Sequence, residues 1–255
     1  KADVIIHLAA RVHIMKDQAP NPLNEFRKIN TEGTVNLANQ AAAAGVKRFI
    51  FISTAKVAGE RTFAKDLTET DPAQPTDAYS ISKWEAEQAL LTIAKTSKME
   101  IVILRPPLVY GPGVKGNFKT LLKAIFNNKL LPLDGIENQR SLLYVENLAN
   151  AIALTINHPN AANRVFFISD SETISTPDLI REIASGLNKK PRLFYFPIRL
   201  LKLAAILTGK LKLVERLAGS FTIDNSHISK QLGWRPPFST HEGVNKTAKW
   251  FKSNI

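Results

Sequence analysis

The sequence predicts a doubly wound parallel α/β sheet with a smaller mixed α/β domain set into it, and three observations carry that reading. Short apolar runs at Asp3–Leu8, Arg48–Thr54, Glu100–Arg105 and Arg164–Ile168 have the length and continuous hydrophobicity of strands covered on both faces. Segments with helical start and stop signals lie between them. One run ends in two hydroxyls, Ser53-Thr54, at the edge where a parallel sheet presents its reactive groups.

Taken in order, Asp3–Leu8 closes on the small residues Ala9-Ala10, which let a ligand approach the backbone, and His7 within it reads as a packed strand residue. Asn21-Pro22 supplies an N-cap and a first-turn proline. The helix then runs through Phe26, Ile29, Val35 and Leu37 to Ala44, where Gly45 stops it. Asn30 is a mediocre helix former, and its plain reading is a solvent-facing polar residue. Ala55–Pro75 reads as a long loop, of a length that compact domains reserve for sites. Lys56 stands just past the strand-end hydroxyls, where it can meet a ligand or simply be solvated.

Thr76 or Asp77 caps the next helix, which runs to about Ser97. Tyr79 and Lys83 lie one turn apart on it and project from the same face. A phenol with a pKa near 10 is a poor base at neutral pH, but an ammonium held close stabilises the phenolate and lowers that value. Tyr79 could then take a proton from a hydroxyl. A solvated lysine beside a half-buried tyrosine fits the same spacing; the strand-end hydroxyls ahead of this helix favour the chemical reading.

Pro106-Pro107 ends the strand Glu100–Arg105. Gly111, Gly113 and Gly116 then match the G-x-G-x-x-G dinucleotide pattern, with Asp134 further on and the helix Phe118–Asn127 following. The match is rejected on physical grounds. A dinucleotide fingerprint needs a tight turn that delivers a helix N-terminus to the pyrophosphate. Here two prolines intervene after Arg105, and Pro112 removes a backbone donor where phosphate binding needs one.

Leu130–Leu133 is strand-like, Asp134-Gly135 a turn, and Ser141–Tyr144 a strand leading into the helix Glu146–Asn157. Thr176-Pro177-Asp178 starts a helix to about Leu187, and the C-terminal helix begins near Thr240. Between them, Lys189–Leu217 concentrates positive charge in Lys189, Lys190, Arg192, Arg199, Lys202, Lys210, Lys212 and Arg216. It reads as a helix pair with its apolar face in the core and its lysines solvated; the alternative is a basic amphipathic stretch lying on anionic membrane.

With 255 residues, 44% of them hydrophobic, the chain can bury a full core. The absence of cysteine excludes disulfides and thiolate metal sites and suits a reducing cytosol; no metal site is expected. No uncharged apolar run reaches the roughly 18 to 20 residues of a membrane span. The first residues, Lys1–Ile6, read as a strand rather than a secretion signal, so a cytoplasmic protein is expected. The excess of 34 basic over 22 acidic residues, a net charge of +12, attracts polyanions without choosing among them. No basic stretch interleaved with aromatics forms a known nucleic-acid module, so no nucleic-acid partner is expected.

His7-Leu8-Ala9-Ala10, Asn30–Thr34, Phe51–Ala55, Tyr79–Lys83, Leu104–Pro112, Arg140–Leu148 and Leu232–Pro236 together, in this order, resemble the extended short-chain dehydrogenase/reductase family, whose members include nucleotide-sugar epimerases and dehydratases. The resemblance covers nearly the whole chain. It implies a Rossmann-like sheet in residues 1–110 plus 142–170, and a nucleotide-sugar domain in 111–141 plus 171–255.

For the site, the resemblance implies catalytic Thr54, Tyr79, Lys83 and Asn30, with Asn30 helping to hold Lys83. NAD would lie against Leu8, Ala9, Ala10, Ser53, Tyr79, Lys83, Pro106 and Leu108, and substrate against Thr54, Lys56, Asn117, Arg140 and Arg216. Arg140 matches a phosphate-clamping arginine, a task that suits a forked guanidinium. The family's glycine fingerprint would precede Asp3. The resemblance therefore implies either a fragment or a sheet lacking its first βαβαβ half, weak or no dinucleotide binding by this chain alone, and no residue here to separate NAD from NADP.

The implied activity is 4-epimerisation of a nucleotide-linked hexose, with UDP as the expected nucleotide, through a 4-keto intermediate. Tyr79, assisted by Thr54, removes the hydroxyl proton as hydride passes to NAD. A 4-ketoreductase for amino or deoxy sugars of surface polysaccharide is the runner-up, and a catalytically silent ligand-binding relative is the alternative of another class. A dehydratase would carry an Asp-Glu pair where Ala55-Lys56 stands, and Ala58 and Leu108 replace a tyrosine and an asparagine common in the epimerases. Relatives commonly pair helices equivalent to Asn21–Ala44 and Asp77–Ser97, which implies a homodimer.

Overall fold

The computed structural model describes residues 2–12, 19–209 and 211–255; Lys1 and Lys210 of the sequence reading lie outside them, as does the side chain of Lys212. Strand β1 (Val4–His7) leads to one continuous helical rod made of α1 (Pro22–Phe26), a π-helical segment (Arg27–Glu32) and α2 (Gly33–Ala43). Asn21 caps the rod by accepting a bond from the backbone N–H of Asn24. The π segment is the one feature of this rod that the apolar periodicity does not announce.

Strand β2 (Arg48–Ile52) ends beneath a single 3₁₀ turn (Ala55–Ala58), so the long loop after Ser53-Thr54 starts with local structure. Asp77 caps α3 (Ala78–Thr96) through a reciprocal capping box with Ser80. Then come β3 (Glu100–Arg105), β4 (Leu108–Tyr110), α4 (Gly116–Phe126), β5 (Leu142–Tyr144), α5 (Val145–Asn157) and β6 (Arg164–Phe167). The chain closes with α6 (Thr176–Gly186), α7 (Ile198–Leu207), α8 (Leu211–Ala218), α9 (Ser226–Leu232) and α10 (Thr240–Ser253).

Strands β1, β2, β3 and β6 pair in that order, all parallel. Alternate residues of β2 face opposite sides: Phe49 and Phe51 pack against Ala38, Ala41, Ala86 and Leu90 of α2 and α3, while Ile50 packs with Ala151, Ile228 and Trp234 on the other side. Both faces are covered, as a parallel sheet requires. Each of these fully buried large side chains contributes about 1.5 to 3 kcal/mol.

Strands β4 and β5 form a separate two-stranded sheet. The Gly111–Gly116 loop leaves β4 and therefore enters α4 and the cluster of Phe118, Leu122 and Ile125 with Leu179, Ile183 and Phe251, not the four-stranded sheet. This is the structural reason that its glycine pattern is no dinucleotide fingerprint. At Gly111 itself, φ is +152° and an added Cβ would lie 2.4 Å from Val145, so both conformation and space demand glycine.

Strand β5 is shared: Leu143 faces the sheet cluster, while Leu142 and Tyr144 face the other. Beside it the Asp170 carboxylate accepts bonds from the Tyr144 backbone N–H (2.9 Å), Asn147 Nδ2 (2.7 Å) and the Tyr110 hydroxyl (2.8 Å). The Tyr110 hydroxyl also lies 3.2 Å from the Thr240 carbonyl oxygen at the start of α10. Burial nevertheless pushes the Asp170 carboxyl above its ordinary pKa.

Two expectations are corrected here. Leu130–Leu133 is not a strand: Leu131 makes a single bridge with Leu193, exchanging backbone bonds with Arg192 and Phe194, and Leu130 is exposed. The basic helix pair exists as α7 and α8, but its apolar residues are not all in the core, because α7 is apolar on two sides and only one is covered. Among the described residues no helix is long and apolar enough to cross a membrane.

Candidate active site

The C-terminal ends of the parallel strands form a shelf over which α3 and the π segment lean. Ser53 and Thr54 continue beyond β2, held by the Ser53 N–H to the Leu104 carbonyl and the Ala55 N–H to the Pro106 carbonyl, both at 2.8 Å. Pro106 is buried and Leu108 exposed at the same edge. Leu8 and Ala9 are exposed beyond β1, with Leu8 at 62%, and Ala10 is half-buried. Thr54 is buried and its Oγ1 accepts the Lys56 backbone N–H, which leaves its O–H hydrogen for another acceptor.

Lys83 is buried at 1% exposure, its Nζ 3.8 Å from the centroid of the Phe51 ring. Desolvation lowers its pKa to about 7, with nearby Glu87 opposing the fall. The aromatic face also favours the cation. Tyr79 is half-buried as a residue, but its hydroxyl is deeply desolvated; that burial, with the Asp77 carboxylate second, pushes it up to about 12. The Tyr79 direction runs against the sequence reading, in which the ammonium lowers the phenol. Burial dominates both groups here, and the charged Lys83 that would activate Tyr79 is itself disfavoured.

Asn30 is fully buried, not solvent-facing. Its Oδ1 accepts the Arg11 N–H at 2.7 Å, and its Nδ2 donates to the Arg11 carbonyl (3.1 Å) and to Ser82 Oγ (3.0 Å). Ser82 Oγ in turn donates to the Tyr79 carbonyl at 2.8 Å. Among the described residues Asn30 thus reaches Lys83 only through its neighbour Ser82. The π segment is pinned to α3 by the Thr31 hydroxyl to the Ser82 carbonyl (2.9 Å) and by Arg27 forking onto Glu85. An extra backbone residue in that turn rotates Asn30 inward. Neither the turn nor Ser82 was recognised from sequence; a serine one place before Lys83, on the Tyr79 face, was the available signal.

Lys56 is partly buried rather than simply solvated: its ammonium is paired with Asp77 and with Glu60 (2.8 Å). It clamps the 3₁₀ turn beside Thr54 to the cap of α3. Arg140 is half-buried, and its Nη1 donates to the carbonyls of Arg216 and Gly219 at the C-terminal end of α8, where a cation meets the negative end of the helix. The structure thus brings Arg140 and Arg216 together, while Arg140 is engaged with protein carbonyls and Arg216 is exposed. Asn117 is exposed at the start of α4.

A group that lies against this shelf must be able to hydrogen-bond at its base. Ser53 Oγ is buried and makes no hydrogen bond in the structure, and Leu8 offers an exposed apolar surface close to the strand ends. An unsatisfied hydroxyl, a buried lysine and apolar walls suit a flat, polar-edged heterocycle such as nicotinamide.

The model of the NAD dependent epimerase/dehydratase family matches residues 1–169. The UDP-glucose 4-epimerase of Vibrio cholerae is 46% identical over 250 residues, spanning 97% of this chain and 76% of that protein. The dTDP-D-glucose 4,6-dehydratase of Mus musculus is 28% identical, spanning 100% of this chain and 69% of that one. The crystal structure of UDP-glucose 4-epimerase with UDP-glucose from Thermotoga maritima superposes with a TM-score of 0.76 at 25% identity, over 99% of this chain and 78% of that one.

Proposed function

Because the chain belongs to the NAD dependent epimerase/dehydratase family, we propose that it is an NAD-dependent nucleotide-sugar 4-epimerase acting on a UDP-linked hexose through a 4-keto intermediate. The observation that carries the reading is buried Lys83 on α3, one turn from Tyr79, with its Nζ 3.8 Å from the ring centroid of Phe51 in β2, the strand that runs into Ser53 and Thr54. Residues 1–110 with 142–170 hold the dinucleotide and residues 111–141 with 171–255 the sugar nucleotide.

NAD would lie against Leu8, Ala9, Ala10, Ser53, Tyr79, Lys83, Pro106 and Leu108, and would supply reversible hydride transfer, taking the C4 hydride up and giving the same hydride back to the keto carbon. The chain's own residues manage the proton and the geometry. Tyr79 takes the C4 hydroxyl proton, and the Thr54 O–H, whose acceptor side is already engaged, steadies the sugar oxygen. Lys83 in its charged form lowers the high phenol pKa of Tyr79, and Ser82 and Asn30 position the α3 turn that carries both. After the keto sugar turns over, Tyr79 returns the proton to the oxygen of the opposite epimer. Asn117, Arg140 and Arg216 contact the diphosphate, Arg140 exchanging carbonyl acceptors for phosphate oxygens. Lys56 serves the same pocket by holding Asp77. The Asn21–Ala44 and Asp77–Ser97 helices pair with those of a second copy.

The test is incubation of the protein with NAD and UDP-galactose, with products separated by chromatography. UDP-glucose should form without net cofactor reduction, and Tyr79→Phe should remove nearly all turnover while keeping the fold. Oxidation of NADPH by a 4-keto sugar, without interconversion of epimers, would make the protein a reductase instead.

A further inference from the structure

Helix α7, Ile198–Leu207, is apolar over almost its whole circumference, a pattern that belongs to helices covered on all sides. Here only one side is covered. Ile198 and Leu201 pack on the core cluster around α6 and α10, and Ala205 is buried. On the opposite side Leu200, Leu203, Ile206 and Leu207 remain 52%, 56%, 57% and 83% exposed. They recur at spacings of three and four and make one continuous stripe. The segment leading into the helix adds exposed Phe194 and Tyr195.

Along the chain through this segment the charge has one sign, while Asp134, whose backbone N–H bonds the Phe194 carbonyl, is paired with Arg181. From Ile183 to Val214 the sequence contains Lys189, Lys190, Arg192, Arg199, Lys202, Lys210 and Lys212 and no aspartate or glutamate. Arg199 and Lys202 are exposed on α7 itself. Two occupants are disfavoured by that arrangement. A second copy related by a twofold axis would set this face against itself and bring like charges together. Water alone leaves a large apolar stripe uncovered.

We propose that α7, with Phe194 and Tyr195, lies in the surface of an anionic lipid bilayer. The leucine and isoleucine side chains would enter the acyl boundary, Tyr195 would sit at headgroup level, and the basic residues would meet lipid phosphates. The contact is peripheral. It is independent of the catalytic reading, since none of these residues belongs to the candidate site.

The experiment is flotation of the whole protein with vesicles of phosphatidylcholine alone or mixed with phosphatidylglycerol, at low and high salt. Binding should require phosphatidylglycerol, weaken with salt, and fall about tenfold or more in Leu203→Glu/Leu207→Glu. Reversing Lys202 or Arg199 to glutamate should cost about fivefold each. Circular dichroism should be unchanged, because the altered side chains point away from the core; Leu203→Ser/Leu207→Ser provides a second, milder pair should the first fail to fold. Absence of flotation with anionic vesicles at low salt overturns the proposal, as does equal binding by wild type and both leucine variants. So does sedimentation showing that the leucine pair instead dissolves a self-associated species.

Discussion

Replacing Lys83 by methionine tests the electrostatics of the site without asking for activity. The ammonium is 1% exposed and its pKa falls from 10.5 to about 7, chiefly through desolvation. In the unfolded chain it titrates near 10.4. Between about pH 7 and pH 10.5 the unfolded state therefore holds a proton that the folded state has released, and stability rises with pH through that window. A shift of roughly three and a half pKa units bounds the effect at about 5 kcal/mol, of which about 3 kcal/mol is recovered between pH 7 and pH 9.5. Tyr79 acts in the opposite sense: with its pKa raised from 10.0 to about 12, it costs stability as pH climbs through that higher range. Stopping at about pH 9.5 keeps it silent. Urea unfolding at the two pH values should show wild type gaining about 3 kcal/mol and Lys83→Met, whose side chain fills much of the same volume, gaining far less. Equal pH slopes in the two proteins would refute the reasoning.

Other perturbations follow from the same contacts. Arg105→Met strips the counter-charge from Glu87, which is fully buried and held by Arg105 Nη2 at 2.6 Å, so thermal or urea unfolding should report a loss of about 3 to 5 kcal/mol. Gly243→Ala places a Cβ 2.5 Å from the Tyr110 hydroxyl and 2.8 Å from the Tyr144 ring; calorimetry should give a destabilisation of about 1 to 3 kcal/mol, and an unchanged melting temperature would show that α10 shifts freely. Ser82→Ala removes a partner of Asn30, and kcat should fall about ten- to a hundredfold with KM little changed; a drop in stability alone would make Ser82 merely structural.

The strands, the helix caps at Asn21 and Asp77, and the location of Tyr79, Lys83 and Thr54 were legible because each depends on local chemistry: apolar runs, side-chain oxygens before helices, residues one turn apart. The rejection of the Gly111–Gly116 pattern was legible too, since proline and loop length are local. What escaped involved partners distant in sequence. Asn30 looks solvent-facing until Ser82, 52 positions away, accepts its hydrogen bond, and Lys56 looks solvated until Asp77 captures it. The pKa values of Tyr79 and Lys83 depend on how completely other elements exclude water, which spacing on one helix does not encode. The uncovered side of α7 escaped for the converse reason: periodicity marks apolar residues but not which of them find a neighbour.

The Asp170 carboxylate has consequences for the order in which the molecule assembles. Its acceptors are satisfied by β4, β5 and α5, and the tyrosine that completes the set is itself tied to Thr240, 130 positions further along. Until the last helix leaves the ribosome, Asn147 lacks its bonds to the Phe238 backbone and Tyr110 and Tyr144 lack the cover of Gly243, so the pocket around Asp170 stays open to water. A buried carboxylate whose donors come from three elements, one of which is held from behind by the C-terminal segment, penalises any packing in which one is misplaced. Contacts of such long range also form late, because closing the intervening chain costs entropy before they reward it. Synthesis should therefore yield a nascent sheet of β1, β2, β3 and β6 that waits for its C-terminus, and truncation before α10 should trap it there.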